Sequence, residues 1–241
     1  MAIVHFAGYV TPSGFVTKFG PMDMAWADGG FKAKMTLEIL DSKVSAVCEI
    51  DDANLYGVLF VYVLHAIRGL VDLMSFNTGF GLTLIIDTCT LPGRDPQPLR
   101  SGNDALASHC EVTLNDSITL TMKERQIQKH IHEITATLND PFDAPARCFR
   151  AIEGFSHLIL QSPPRKDKQR WLALQQALNV SENYLRFITD LSKGPRHGRV
   201  APQMPSNVFE CQERAWIIAG RFLEFRRRGN ITLSEPDFPL L

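Results

Sequence analysis

From Leu55 to about Asn77 the chain is apolar on nearly every side of a helix, with Arg68 and Asp72 as its only fixed charges. A helix of that kind has to be covered on most sides, so it is expected to form the core of the first half of the chain. Asp51-Asp52 offers N-cap chemistry before it, and Gly79 stands where a left-handed C′ residue would end it. Arg68 and Asp72 are four apart and can pair on its less buried side. The unbroken apolar run, Leu55 to Leu64, is too short to span a bilayer, and no membrane association is expected.

The cover for this helix is sought in strands. Phe31, Ala33, Met35, Leu37 and Ile39 alternate with Lys32, Lys34, Thr36 and Glu38, giving one apolar and one wet face. Asp41-Ser42-Lys43 reads as a turn, and Val44–Ile50 as the antiparallel return. Ile3–Val10 and Phe15–Phe19 read as short strands around Thr11-Pro12-Ser13-Gly14, and Leu82–Leu91 as another. Cys110–Met122 alternates again around Asn115-Asp116-Ser117. In Arg125–Leu138 the spacing of Ile127, Ile131, Ile134 and Leu138 suits a helix, but the Thr and Ile content favours a strand. The expectation is an α+β chain: residues 1–139 form an N-terminal antiparallel β-sheet packed on one long helix, and alternation stops at Asn139-Asp140-Pro141. Residues 140–241 then form a C-terminal antiparallel helical bundle, with helices near 144–161, 167–179, 181–193 and 206–228 and an extended tail docked through its apolar residues.

Divided there, the charges are uneven. Residues 1–140 hold 10 basic and 16 acidic side chains; residues 141–241 hold 15 and 10, and 12 of those 15 are arginine. Arginine suits phosphate better than lysine does, so nucleic acid, RNA included, is one expected partner of the second half, and a generally solvated surface with interspersed acidic residues is the other reading. Five scattered cysteines without a C-x-x-C pair point to reduced thiols, and the N-terminus lacks a signal-peptide pattern; both suggest the cytoplasm.

Chemistry is harder to find. There is no G-x-S-x-G, no Walker A sequence and no G-x-G-x-x-G after a strand, so no cofactor is expected. His130-Ile131-His132-Glu133 would put two imidazoles on one face of a strand, but at a spacing that fits no named metal site. The stretch Leu185–Arg199 is more suggestive. An amphipathic helix is expected to stop at Lys193, ahead of Gly194-Pro195, delivering Arg196, His197 and Arg199 just beyond it. With Lys193 these groups would attract an anion, and His197 could move a proton. Arg226-Arg227-Arg228 at the end of the last helix suits the macrodipole and could also hold a phosphate backbone.

Arg150 and His157 are seven apart and share one face of the expected helix. This Arg-Ala-Ile-Glu-Gly-Phe-Ser-His run in a basic helical half resembles the HEPN superfamily, in which an Arg-x4–6-His pair from each of two protomers meets at a dimer interface. The resemblance implies a metal-independent endoribonuclease: His157 would handle the 2′-hydroxyl proton and Arg150 would hold the scissile phosphate, in a homodimer formed through the C-terminal helices. Arg196-His197-Gly198 resembles the His-Gly ending of some HEPN-like signatures and is a competing site. Two other readings are a non-enzymatic protein–protein interaction module and a small-molecule sensor using a pocket between the sheet and the long helix.

Overall fold

Alternation in the first hundred residues resolves into a single antiparallel sheet. The computed structural model describes residues 1–14, 18–28, 31–99, 104–160, 167–197 and 205–241. They divide into two units, Met1–Ser101 and Gly102–Leu241. The first contains β1 (Ala2–Thr11), β2 (Lys18–Asp28), β3 (Phe31–Leu40), β4 (Lys43–Ile50), a 3₁₀ turn at Ala53–Leu55, α1 (Tyr56–Thr78), β5 (Thr83–Thr90) and the two-residue β6 (Gln97–Pro98). Their order in the sheet is β2-β3-β4-β1-β5-β6. The β3–β4 hairpin turns on Asp41 and Ser42, both with positive φ, the conformation that a two-residue turn demands.

The period-two pattern buries Phe31, Ala33, Met35, Leu37 and Ile39 on one sheet face. That face packs with Leu59, Val63, Ile67 and Val71 of α1 into one apolar cluster. α1 is therefore covered along one side, not most sides as expected. Leu73 is 59% exposed and Phe76 87%, because a single layer of sheet can cover only one face of a helix. By length and composition Ala53–Thr78 could also cross a membrane. Gly79 ends α1 in the left-handed conformation, φ 72°. Asp52 caps the 3₁₀ turn, accepting from the backbone of Asn54, rather than α1 itself. β1, the strand between β4 and β5, is irregular between Ala7 and Gly8. A Cβ on Gly8 would lie 2.0 Å from the carbonyl oxygen of Ile85, so only glycine permits this approach of two backbones.

The second unit is helical: α2 (Asp104–Ala107), α3 (Leu114–Lys123), α4 (Arg125–Ala136), α5 (Ala144–Ile159), α6 (Asp167–Leu178), α7 (Glu182–Arg196) and α8 (Pro205–Arg227). Two expected strands are thus helices. Thr113 caps α3 by accepting from the backbone of Asp116, so the turn-like Asn115-Asp116-Ser117 is a first helical turn. In α4 the seven-residue spacing of Ile127 and Ile134 puts both into the core shared with α5 and α8, and that burial outweighs the strand propensity of Thr and Ile. The boundary accordingly moves from residue 139 to residue 101. Counted on the new division, the first unit holds 7 basic and 10 acidic side chains and the second 18 and 16. Net charges of −3 and +2 replace the −6 and +5 of the sequence division, so any anion site must rest on local arrangement.

Phe155 of α5 and Phe222 of α8 stack at the centre of this unit with ring centroids 4.5 Å apart. The tail docks as expected. Leu233 and Phe238 are buried, Leu233 donates to the carbonyl of Ala177, and the carbonyl of Leu241 accepts from the amide of Ser181. Arg221 fixes the same corner by donating to the carbonyls of Leu178, Asn179 and Pro239. α7 also departs from expectation, continuing through Gly194-Pro195 to Arg196. A proline in a last turn forfeits one backbone hydrogen bond, and here it does not end the helix.

Candidate functional site

α5 buries Ala144, Cys148, Ala151, Ile152 and Phe155 and turns Arg147, Arg150, Glu153 and His157 outward. The predicted pair therefore shares one face, yet its members have different partners. Arg150 donates to Glu133 of α4 at 3.2 Å and to Asp143 at 3.4 Å. Burial opposes its charge, but the Glu133 bond and the two carboxylates outweigh this and raise its pKa. His157 is held by Arg170 of α6, whose guanidinium lies 2.6 Å from Nε2. A guanidinium can only donate, so in this bond Nε2 presents its lone pair. Arg170 also donates to Glu153 at 3.1 Å.

Arg170 is 6% exposed, and its Nε has no hydrogen-bond partner among the described residues. The sequence reading missed it. A signal was present: Arg170 stands four before Leu174 and seven before Ala177, on the stripe that α6 buries. An arginine at an apolar position is held there by specific partners. His130, read in sequence as one of two imidazoles on a strand face, lies against α5 instead. Its ring meets Phe155 edge-on at 5.6 Å, and a Cβ on Gly154 would lie 2.0–2.3 Å from its ring atoms. Burial lowers the His130 pKa, and the nearby Lys129 and His157 lower it further against the pull of Glu133. His132, two residues on in a helix, faces another way, and among the described residues no group of three His, Cys, Asp or Glu side chains could hold a metal.

The second feature is a groove of about 490 Å³ between α6 and α7. α7 buries Leu185, Ile188 and Ser192, which turns Arg186, Lys193 and Arg196 toward the groove. α6 contributes Lys168, Trp171, Leu172 and Gln175, and α5 contributes Phe149. Four cations thus face two carboxylates, Glu182 and Asp190. Arg186 pairs with Glu182 and Lys193 with Asp190, each at 2.7 Å and each well exposed. Such pairs contribute little and exchange partners readily. The Arg196 guanidinium stacks 3.7 Å above the Phe149 ring centroid, and Lys168 has no ion pair among the described residues.

Of the sequence-predicted phosphate ligands, Lys193 and Arg196 line this groove. His197 caps α7 through its backbone and is exposed beyond the groove. Arg199 lies outside the described residues. Arg226, Arg227 and Arg228 are elsewhere and occupied. Arg226 forms a bidentate pair with Glu124 and donates to Asn230. Arg227 grips Glu224 at 2.6 and 2.7 Å, and Arg228 bonds to the same carboxylate. The Arg227 bond holds the Glu224 carboxyl down to about 2, with Arg228 adding to it and burial opposing. This is a clamp at the C-terminal end of α8, with its donors already turned to carboxylates.

Comparison with protein families gives two matches. The N-terminal domain of a domain of unknown function, DUF8168, matches residues 4–99, and its C-terminal domain matches residues 113–227. These limits follow the two structural units rather than the division read from sequence. No curated protein and no solved structure matches the chain.

Proposed function

We propose, for a chain that belongs to the DUF8168 family through both of its units, that the helical unit binds single-stranded RNA. One observation carries the reading: Lys168, Arg186, Lys193 and Arg196 converge on one groove that also exposes aromatic surface. A basic channel with stacking platforms suits a flexible strand with an accessible backbone and open base faces. The free cysteines suit a reducing compartment, and the cytoplasm is the proposed site of action. Fluorescence anisotropy of a labelled single-stranded RNA, titrated at several salt concentrations, tests the reading. Affinity should fall log-linearly with salt, by about 0.7 in slope for each phosphate contacted. Affinity that is indifferent to salt, or absent at low salt, would replace RNA with an apolar protein partner. A protein whose melting temperature responds only to small molecules would favour the sensor reading.

Metal-independent cleavage in the manner of HEPN ribonucleases is the second reading. The favouring observation is an imidazole and a guanidinium side by side, His157 Nε2 and Arg170 at 2.6 Å. Arg170 is then the arginine next to the proposed base, since Arg150 gives its bonds to Glu133 and Asp143. Labelled RNA incubated with EDTA should be cut by the unmodified protein and survive incubation with His157→Ala. Equal cutting by both would remove His157 from the reaction and leave His197 to be tested in the same way.

A further inference from the structure

We propose that the α6–α7 groove seats one base and its phosphate, with the base against Trp171 and the phosphate among Lys168, Lys193 and Arg196. The inference rests on the RNA-binding reading and specifies how a strand is held. Three observations converge on it. The groove, at about 490 Å³, lies within the size range of sites that enclose a small ligand. That is room for a nucleotide unit and not for a duplex.

The groove also has one aromatic face to offer. Phe149 is buried, and its ring is covered by the Arg196 guanidinium at 3.7 Å. Trp171 leans on Phe149 with centroids 5.9 Å apart and stays half-buried, with Leu172 beside it 48% exposed. A base entering the groove therefore meets indole, the ring with the largest stacking surface.

The cations reach the groove from both helices. Lys168 precedes Trp171 by three on α6, so the two share a helix face. Lys193 and Arg196 have the same spacing in the last turn of α7. Arg196 is pinned by Phe149 and by a bond from Nε to the carbonyl of Ser192 at 3.4 Å, which preorganises its guanidinium. Lys168 brings a positive charge with no carboxylate to give up among the described residues. Glu182 and Asp190, in the same lining, can accept from base amino groups or ribose hydroxyls once their cations turn to phosphate.

Intrinsic fluorescence provides a direct readout, since the chain has tryptophan only at 26, 171 and 216. The full-length protein would be titrated with single-stranded oligoadenylate while anisotropy of the labelled strand follows binding independently. Oligoadenylate should quench the emission, and Trp171→Phe should abolish the quench with melting unchanged. Trp171→Ala should weaken binding about tenfold, the loss of one stacked base. Inorganic polyphosphate should compete for the site without quenching. If oligoadenylate binds but Trp171→Phe leaves the quench in place, or if Trp171→Ala binds as tightly as the unmodified chain, the base site is wrong while RNA binding stands. Tighter binding of duplex RNA, without quenching, would also overturn it. Absence of any RNA binding at low salt would remove the parent reading and this inference with it.

Discussion

Phe222→Ala should destabilise the helical unit by about 3–5 kcal/mol, the usual cost of emptying a large aromatic site in a close-packed core. Phe222 is fully buried, as is the Phe155 ring stacked on it at 4.5 Å. Ile218, Ala219 and Cys211 of α8 share the same cluster with Ile152 and Cys148 of α5. The void would thus open between two long helices, where neighbours anchored on both sides can collapse only in part. Phe222→Leu keeps most of the volume and should cost far less, within about 1.5 kcal/mol. Urea unfolding followed by circular dichroism would measure both. A cost under 1 kcal/mol for the alanine variant would show that α5 and α8 can close around the gap, and that the stack does not anchor the unit.

The largest functional effect is expected from Lys168→Glu combined with Lys193→Glu. These residues approach the groove from α6 and α7 and are solvent-exposed, so the fold should tolerate both changes. Reversing them turns four cations and two carboxylates into two cations and four carboxylates. Affinity for single-stranded RNA should fall about 100-fold at low salt, and the salt dependence should flatten as two phosphate contacts disappear. Lys34→Glu, on the wet face of β3 and outside the groove's lining, reverses one charge and should bind as the unmodified chain does. Equal losses in both variants would show that general charge attracts RNA and the groove does not. Intact binding in the groove variant would move the site elsewhere.

The two halves of the chain differ in how much could be read in advance. The strands β3 and β4 were legible because the buried set of each alternates, and a one-residue slip would have turned it to water, whereas β5 was legible from its Thr, Ile and Leu content. Helices α5 to α8 were legible from spacing and breakers such as Ser162-Pro163-Pro164. The segment at residues 110–138 misled because Thr and Ile favour strands when nothing else decides. In the fold, α5 and α8 supply an apolar surface that rewards burial of Ile127 and Ile134 seven apart. That one reassignment moved the boundary by nearly forty residues and removed most of the apparent charge asymmetry between the halves.

For the site, the chain's local order was enough to single out Lys193 and Arg196, since both belong to the basic stretch around Gly194-Pro195, although the helix continues through Arg196 and does not stop at Lys193. It could not supply their neighbours. Lys168 and Trp171 reach the groove from another helix, Arg170 reaches His157 across thirteen positions, and Glu124 takes Arg226 from more than a hundred positions away. Short-range periodicity determines which residues share a face, because helix and strand geometry repeat along one segment. Which face meets which, and whether an arginine stays available to a ligand or is spent on a carboxylate, depends on contacts between distant segments, and only the tertiary structure decides it.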